Sequence, residues 1–461
     1  MPRFSLPLQS YELRSRPTSP SRLLNCYAEQ LPPDAKSPVY LSRTPGAKAW
    51  TTVGTGSIKA MHSALGLLFV VSGSELYKVD SNKTATLLGN IGSPGNIDID
   101  SNSTSVVVVN DPLAYYWDQT TFGQITDTDF LALGAGDVEF IDNYLLFRQP
   151  DSGTFFASDV GSATSYDALQ FNNADASPDD LVGMKVDHRQ ALLFGKKSVE
   201  LWENTGISGF PFERSINGYI EQGCLNGRTI AKLDNSVFWL ADDYTVRKLD
   251  GLTPIRVSNH GIEQSIGDAT ISSGKAFTYK QDGHLFYVLS FSEGTFVFDA
   301  TTGSWHERQT YNDTFWHPES HASAFGLELV GDSTSNKIGE LSATTYEDWG
   351  STQRMEWTYQ PVYAEQQRAF HYRFEVVAEV GVGLTTGQGS DPEIMLDYSD
   401  DGGVTWLSLP NKKLGKIGEY ENRAIWHSLG SARQRVYRAA VSDPVRVTIA
   451  DTFVEVKGGR L

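Results

Sequence analysis

From Ile58 onward, short apolar runs alternate with turns rich in Gly, Asn, Asp and Ser, a rhythm that predicts strands joined by tight turns. One unit reads LGLLFVVSGSELYKVDSNKTATLLGN: strand, turn, strand ending in an acidic residue, turn, strand. The same order returns in AYYWDQTTFGQIT, TFFASDVGSATSYDAL, SVELWENTGISGFPFERS, YTVRKLDGLTPIRVS and GTFVFDATTGSWHER. The acidic markers are Asp80, Asp118, Asp159, Glu203, Asp250 and Asp299, spaced by 38, 41, 44, 47 and 49 residues. A repeat of that length with four strands is one propeller blade, a small sheet that buries its faces only by stacking on its neighbours around an axis. KIGELSATTYEDWG is a weaker seventh unit with Leu341 at the marker position, so residues 58–350 are expected to form a six- or seven-bladed β-propeller. A β-sandwich is the rival reading, but six consecutive units of this length would make an unusually large one.

After Ser351 the strands lengthen and alternate, as in RFEVVAEVGVG, EIMLDYSDD and PVRVTIADTFVEVK, which predicts half-buried antiparallel sheets and a C-terminal β-sandwich-like domain over 351–461. At the other end, eight of the 19 prolines fall within the first 45 residues. Proline removes backbone donors, so residues 1–57 are expected to be an extended N-terminal docking arm.

Composition agrees with an all-β fold: 42 Gly and abundant aromatics stand beside 5 Met in 461 residues. The longest apolar stretch, about Ala64 to Val71, is far short of the roughly 20 residues that span a bilayer. Two prolines in MPRFSLPLQS interrupt what a signal peptide needs as a continuous apolar run. No membrane insertion is therefore expected, and the chain is read as soluble and unprocessed. Cys26 and Cys224 have no CxxC or metal spacing, which leaves neither a disulfide framework nor a zinc site, and a reducing cytoplasm fits.

Charge sharpens this picture. The chain carries −18 overall, yet residues 1–57 are +4, residues 411–461 are +5, and the stretch between them is −27. So acidic a middle argues against a nucleic-acid groove there and sets the two ends apart.

Catalytic signatures are sparse: GxSxG, GxGxxG, a Walker loop and HExxH are all missing. Asp98, Asp100 and Asn102 begin like a calcium loop, but Ser103 and Val109 stand where Gly and the bidentate Glu belong, so the segment reads as a blade turn. His317 and His321 have the spacing of metal ligands, but Pro318 lies between them and no third ligand follows. No metal, cofactor or catalytic residue is assigned. Ser399, Asp401, Gly403, Thr405 and Trp406 fit an Asp-box, a structural hairpin turn in which Ser and Asp oxygens accept from turn amides and Trp packs beneath. The Asp-box supports an alternative function, a propeller that binds or hydrolyses glycan with Asp242 and Asp243 as a carboxylate pair. A sialidase-like enzyme repeats the box and adds central arginines, and the blade region is poor in arginine.

The two ends carry a resemblance. The segment from Pro20 to Glu29, with Arg22, Asn25 and Tyr27, followed by Ser37 to Gly46 with Arg43, Pro45 and Gly46, resembles the start of packaged-DNA stabilisation proteins of short-tailed bacteriophages, the tail hub or nozzle proteins. GKIGEY at 415–420, then Arg423, Trp426, LGSAR at 429–433, Arg435, Arg438 and SDPVRVTI at 442–449 resemble the close of the same family. The two stretches cover about a quarter of the chain, and the middle matches by architecture alone. The resemblance implies a non-enzymatic virion structural protein of the tail, assembled in the bacterial cytoplasm as a homohexameric ring. It would lie below the portal and adaptor rings, extend the DNA channel and retain packaged DNA until ejection. Its implied partners are itself, the portal or adaptor ring, and needle, plug, fibre or spike proteins, with double-stranded DNA passing without tight binding. Arg22, Arg43, Arg423, Arg433, Arg435 and Arg438 are the candidate docking cations. No fibre-docking insertion is evident between blades.

Overall fold

The computed structural model describes residues 2–15, 17–32, 34–93, 95–364 and 367–459. Among the described residues, seven four-stranded antiparallel blades surround an axis. Their innermost strands are Ile58–Ala64, Ile97–Ser101, Asp137–Ile141, Leu181–Asp187, Ala231–Leu233, Lys275–Gln281 and Pro318–Ala324; neighbouring inner strands meet around the ring, with the short turn Gly227–Thr229 standing between those of blades 4 and 5. Each acidic marker, and Leu341 in the seventh blade, sits within one residue of the end of its blade's third strand, so the spacing read from the sequence is the spacing of the blades.

The second strand of a blade is apolar throughout because both of its faces are buried. In Leu67–Ser72, Leu68 and Val70 pack toward blade 7 while Phe69 and Val71 pack toward blade 2. Val106–Asn110 divides in the same way, with Val106 and Val108 on one side and Val107 and Val109 on the other. Seven such apolar clusters fill the gaps between blades.

The segment 1–57, expected from its prolines to be an extended arm, is instead woven into both domains. Gly46–Thr52 pairs with Lys337–Ser342 as the outer strand of blade 7, so a strand that precedes blade 1 in sequence completes the last blade and closes the ring. Pro20–Leu24 joins one sheet of the C-terminal sandwich, and Cys26–Gln30 with Val39–Arg43 joins the other. The prolines lie where they leave the ladders intact: Pro20 is the first residue of its strand, and Pro38 and Pro45 immediately precede theirs.

The sandwich consists of two sheets. One contains Pro20–Leu24, Met355–Thr358, Gln434–Val441 and Glu393–Ser399; the other contains Cys26–Gln30, Val39–Arg43, Thr448–Gly458, Ala369–Ala378 and Ala424–His427. Trp357, Tyr359, Phe374, Trp426 and Tyr437 fill the space between them. Leu24 lies parallel to Glu307 of Ser304–Arg308, the outer strand of blade 6, so the first sandwich sheet continues into the propeller.

Candidate functional site

The N-terminal motif residues converge where the propeller meets the sandwich. The chain crosses from one sandwich sheet to the other at Asn25, which takes a left-handed backbone (φ 51°) that asparagine tolerates better than most residues. Its buried amide donates to the carbonyls of Gln309 (3.0 Å) and Arg354 (2.8 Å) and accepts from the Gln309 amide (3.1 Å). One side chain thus ties blade 6 to the start of the sandwich. Arg22 donates to Glu307 at 2.7 Å across the same seam. The Tyr27 ring packs edge-on against His284 and Phe286 of blade 6.

Arg43 is buried, and its guanidinium reaches the carbonyls of Tyr346, Gln353, Asp443 and Val445 and the side-chain oxygen of Gln353. It clamps the interdomain linker to a sandwich loop, and burial lowers its pKa to about 10. The Pro45 carbonyl accepts from Arg308 at 2.6 Å, and that guanidinium lies 3.5 Å over the Trp316 ring. Gly46 is required by contact: a Cβ there would stand 2.1 Å from the Glu347 carbonyl oxygen.

His284 links the domains by charge. Its ring nitrogens lie 2.7 Å from Asp299 and 2.6 Å from Glu29, a carboxylate of blade 6 and one of the sandwich strand Cys26–Gln30. Hydrogen bonding to Asp299 raises its pKa against the opposing effect of burial, with Glu29 adding to the rise. His306 nearby is buried with neither ring nitrogen bonded among the described residues, and burial together with the Arg308 charge lowers it to about 3.

The C-terminal arginines are mostly occupied inside the domain. Arg435 is buried, forks onto both oxygens of Asp400 (2.6 and 2.7 Å) and covers the Tyr398 ring at 4.1 Å. Arg438 pairs with Asp397 at 2.8 Å, and Arg423 with Glu375 at 2.6 Å. Arg433 is exposed and has no carboxylate partner among the described residues. Trp426 and Tyr437 are core, whereas Tyr420 of the same motif stretch is 72% exposed.

The Asp-box forms a closed turn. Asp401 accepts from the Val404 and Thr405 amides (3.0 and 2.9 Å) and from the Thr405 hydroxyl (2.6 Å), while Ser399 Oγ accepts from the Gly403 amide at 2.8 Å. These donors hold the Asp401 carboxyl well below the usual carboxylate range. Trp406, expected beneath the hairpin as core, is half-buried and covered by the Arg438 guanidinium at 4.1 Å, because the strand after the turn lies at the sheet's edge.

Around the propeller axis, carboxylates on one inner strand accept from backbone amides of the next. Asp98 takes Val138 N–H (3.0 Å), Asp100 takes Phe140 N–H (2.6 Å) and Glu139 takes Val186 N–H (3.0 Å). Asp98 and Asp100 therefore belong to an inner strand and not to the turn read from the sequence; their alternation with Ile97 and Ile99 was the missed signal. Burial pushes Glu139 up to about 7, with Asp100 and Asp98 adding to the rise and the Lys185 ammonium opposing it. A cavity of about 250 Å³ lies on this axis, bordered by Lys59, Asp98, Lys185, Arg228 and Lys275.

Asp242 and Asp243 are engaged by different side chains. Asp242 is held by Gln222 and Lys197, and Asp243 by Thr245 and Arg247. The bonds from Thr245 and Arg247 outweigh burial and keep Asp243 below its usual range, unlike a glycosidase acid, whose pKa must rise. His317 bonds Asp313 and His321 bonds Glu328, and no group of three His, Cys, Asp or Glu among the described residues is placed to hold a metal.

Residues 21–346 match the family described as bacteriophage P22 Gp10, beta-propeller, and residues 355–457 match the one described as bacteriophage P22 Gp10, beta-sandwich. No curated protein matches the chain. Among solved structures, it is similar to the Pan2 WD40 domain of Neurospora crassa, at 11% identity over 72% of this chain and 98% of that one (TM-score 0.42). It is also similar to the N-terminal domain of Nup159, at 11% identity over 70% and 100% (TM-score 0.39). A third is the extracellular domain of the one-component system BT4673 from B. thetaiotaomicron, at 9% identity over 86% and 58% (TM-score 0.44).

Proposed function

The chain belongs to the bacteriophage P22 Gp10 family of phage stabilisation proteins across both of its domains, and from that premise we propose that it forms a ring of the tail hub that retains packaged DNA. Six copies stack below the portal and adaptor rings, prolong the DNA channel and hold the genome until ejection. Needle, plug, fibre or spike proteins are its neighbours on the far side.

The observation that carries this reading is the interdomain weld. A protein that resists the pressure of a packed genome must transmit force between its domains without hinging. Here a sheet runs from blade 6 into the sandwich, and Asn25, Arg43 and Arg308 bond across the seam from buried positions. Buried hydrogen-bonded networks of this kind rigidify a joint because every displacement leaves a polar group unpaired. The charge distribution supports passage over grip: residues 58–350 hold 18 Lys and Arg against 39 Asp and Glu. Each phosphate neutralised by a cation would brake a moving duplex, so retention is mechanical.

The test is to add the purified chain to DNA-filled heads that lack it. Nuclease-accessible DNA should fall as the chain is added, and an unchanged level would contradict the proposal.

A further inference from the structure

Blades 3 and 4 differ from the others at their outer edges. Between Phe156 and Ser158, two steps along the third strand of blade 3, the outer strand Tyr166–Asn173 takes five, from Phe171 to Tyr166. Between Glu200 and Trp202 in blade 4, the outer strand Phe212–Ile220 also takes five, from Tyr219 to Arg214. Three surplus residues are thus extruded at the same place in adjacent blades, and the outer-strand irregularities of blades 1 and 7 amount to one residue each. A bulge re-aims side chains and blunts an edge against indiscriminate strand pairing.

Each bulge holds one large apolar side chain out in solvent. Ile216 is 91% exposed and Leu169 76%, and exposed Phe171, Ile207 and Tyr219 lie along the same two edges. The loop carrying Ile207 is laid across blade 3 through Phe210, whose ring sits 5.2 Å from that of Phe155. The blade 3 side of this surface is acidic, since residues 149–184 contain six Asp and no Lys or Arg, while the blade 4 strand exposes Glu213 and Arg214 together. Large apolar side chains held out in water on two matched bulges are costly to leave exposed and mark an interaction surface.

A surface of complementary character lies at the far end of the sandwich. Leu24 and Met355 stand at the propeller end of their sheet, and the register carries Val362 and Tyr363 to Arg435 and Gln434 at the other. There Tyr363, Phe370 and Tyr372 are exposed, with Lys457 5.2 Å over the Tyr372 ring. Arg368, Arg433 and Lys457 are exposed without a carboxylate partner among the described residues. The sandwich is joined to the ring at blade 6, and blade 3 stands three blades away in one direction and four in the other, on the far side of the propeller.

We propose that the bulged edge of blades 3 and 4 docks on the basic, aromatic end of the sandwich of a second copy of this chain. The match is of charge, acidic against basic, and of apolar surface on both sides. Because the two patches differ and face away from each other, the contact is heterologous and propagates head to tail, as a ring requires. This rests on the ring reading above and supplies its contact surface.

Sedimentation velocity of the full chain over a concentration series tests it, with two double variants made at exposed positions and checked for unchanged melting. Leu169→Glu with Ile216→Glu spoils one patch, and Arg433→Glu with Lys457→Glu the other. Each double variant alone should self-associate at least about tenfold more weakly than the wild type. Their equimolar mixture should form a dimer and nothing larger, since one good patch remains on each. Wild-type open chains, or rings of a number other than six, that both double variants weaken would support this contact while refuting the sixfold ring. Wild-type hexamers that both variants form equally well would overturn the contact and leave the ring standing. It is also overturned if the wild type stays monomeric and the mixture gives no dimer, or if the Arg433/Lys457 variant loses only duplex DNA binding.

Discussion

Arg43 and Arg435 are buried and fully bonded, and Arg433 stands exposed, so the three arginines differ in what their loss would cost. Arg43 serves five acceptors from a buried position, so Arg43→Ala leaves carbonyls unpaired in the seam and should cost about 3 kcal/mol or more in chemical denaturation. Arg433→Ala should change stability by less than about 0.5 kcal/mol. Equal effects from the two would contradict the assignment. His284 gives a pH signature. Its folded pKa lies above the ordinary value of about 6.5, so the native state holds the extra proton more tightly. Its contribution is fully present below about pH 6.5 and is lost as pH rises through the raised value. His306, and His371 buried on the sandwich strand Ala369–Ala378 near Arg435, are lowered by burial to about 3 and about 4; they act with the opposite sign and cost stability as pH falls below 6.5. The stability difference between wild type and His284→Gln isolates the first effect. It should be larger at pH 5.5 than at pH 8.5, and a difference independent of pH would show that His284 carries no excess proton.

At the level of elements, the repeat was legible because a blade needs a fixed strand length, a turn and a capped third strand, and Asp80 through Asp299 mark that position. The seventh blade was fainter because its outer strand is Gly46–Thr52, some 290 residues away from its partner Lys337–Ser342, and no local pattern announces such a pairing. Proline density misled for a physical reason: proline is excluded from ladder interiors and not from strand starts, where Pro20 stands. Removing residues 1–52 should therefore open the propeller, giving a large loss of melting temperature and rapid proteolysis of blades 7 and 1. A truncated chain that melts as the full one does would refute ring closure by this strand. The Asp-box was readable in full because its bonds are local, whereas the cover on Trp406 comes from Arg438 on a neighbouring strand. Trp406→Ala should cost about 1 to 2 kcal/mol, the value of a half-buried ring under a cation, and not the 3 kcal/mol or more of a core tryptophan.

For the whole molecule, charge was the most legible feature and contact the least. The acidic propeller should repel duplex DNA most strongly at low salt, where the Debye length is about 30 Å at 0.01 M, so assembled rings should show no measurable duplex affinity. Tight, salt-sensitive binding to the propeller would sink a channel that lets DNA pass. Composition gave the sign of that field, but the junction at Asn25 and the paired bulges of blades 3 and 4 depend on three-dimensional neighbours that no single stretch encodes. The most direct test of the central claim is the mass of the complex formed when the full chain is mixed with purified portal–adaptor assembly. Six copies bound in a closed ring are expected, and a chain that stays unbound, or whose sole assembled state is a stable dimer, would contradict it.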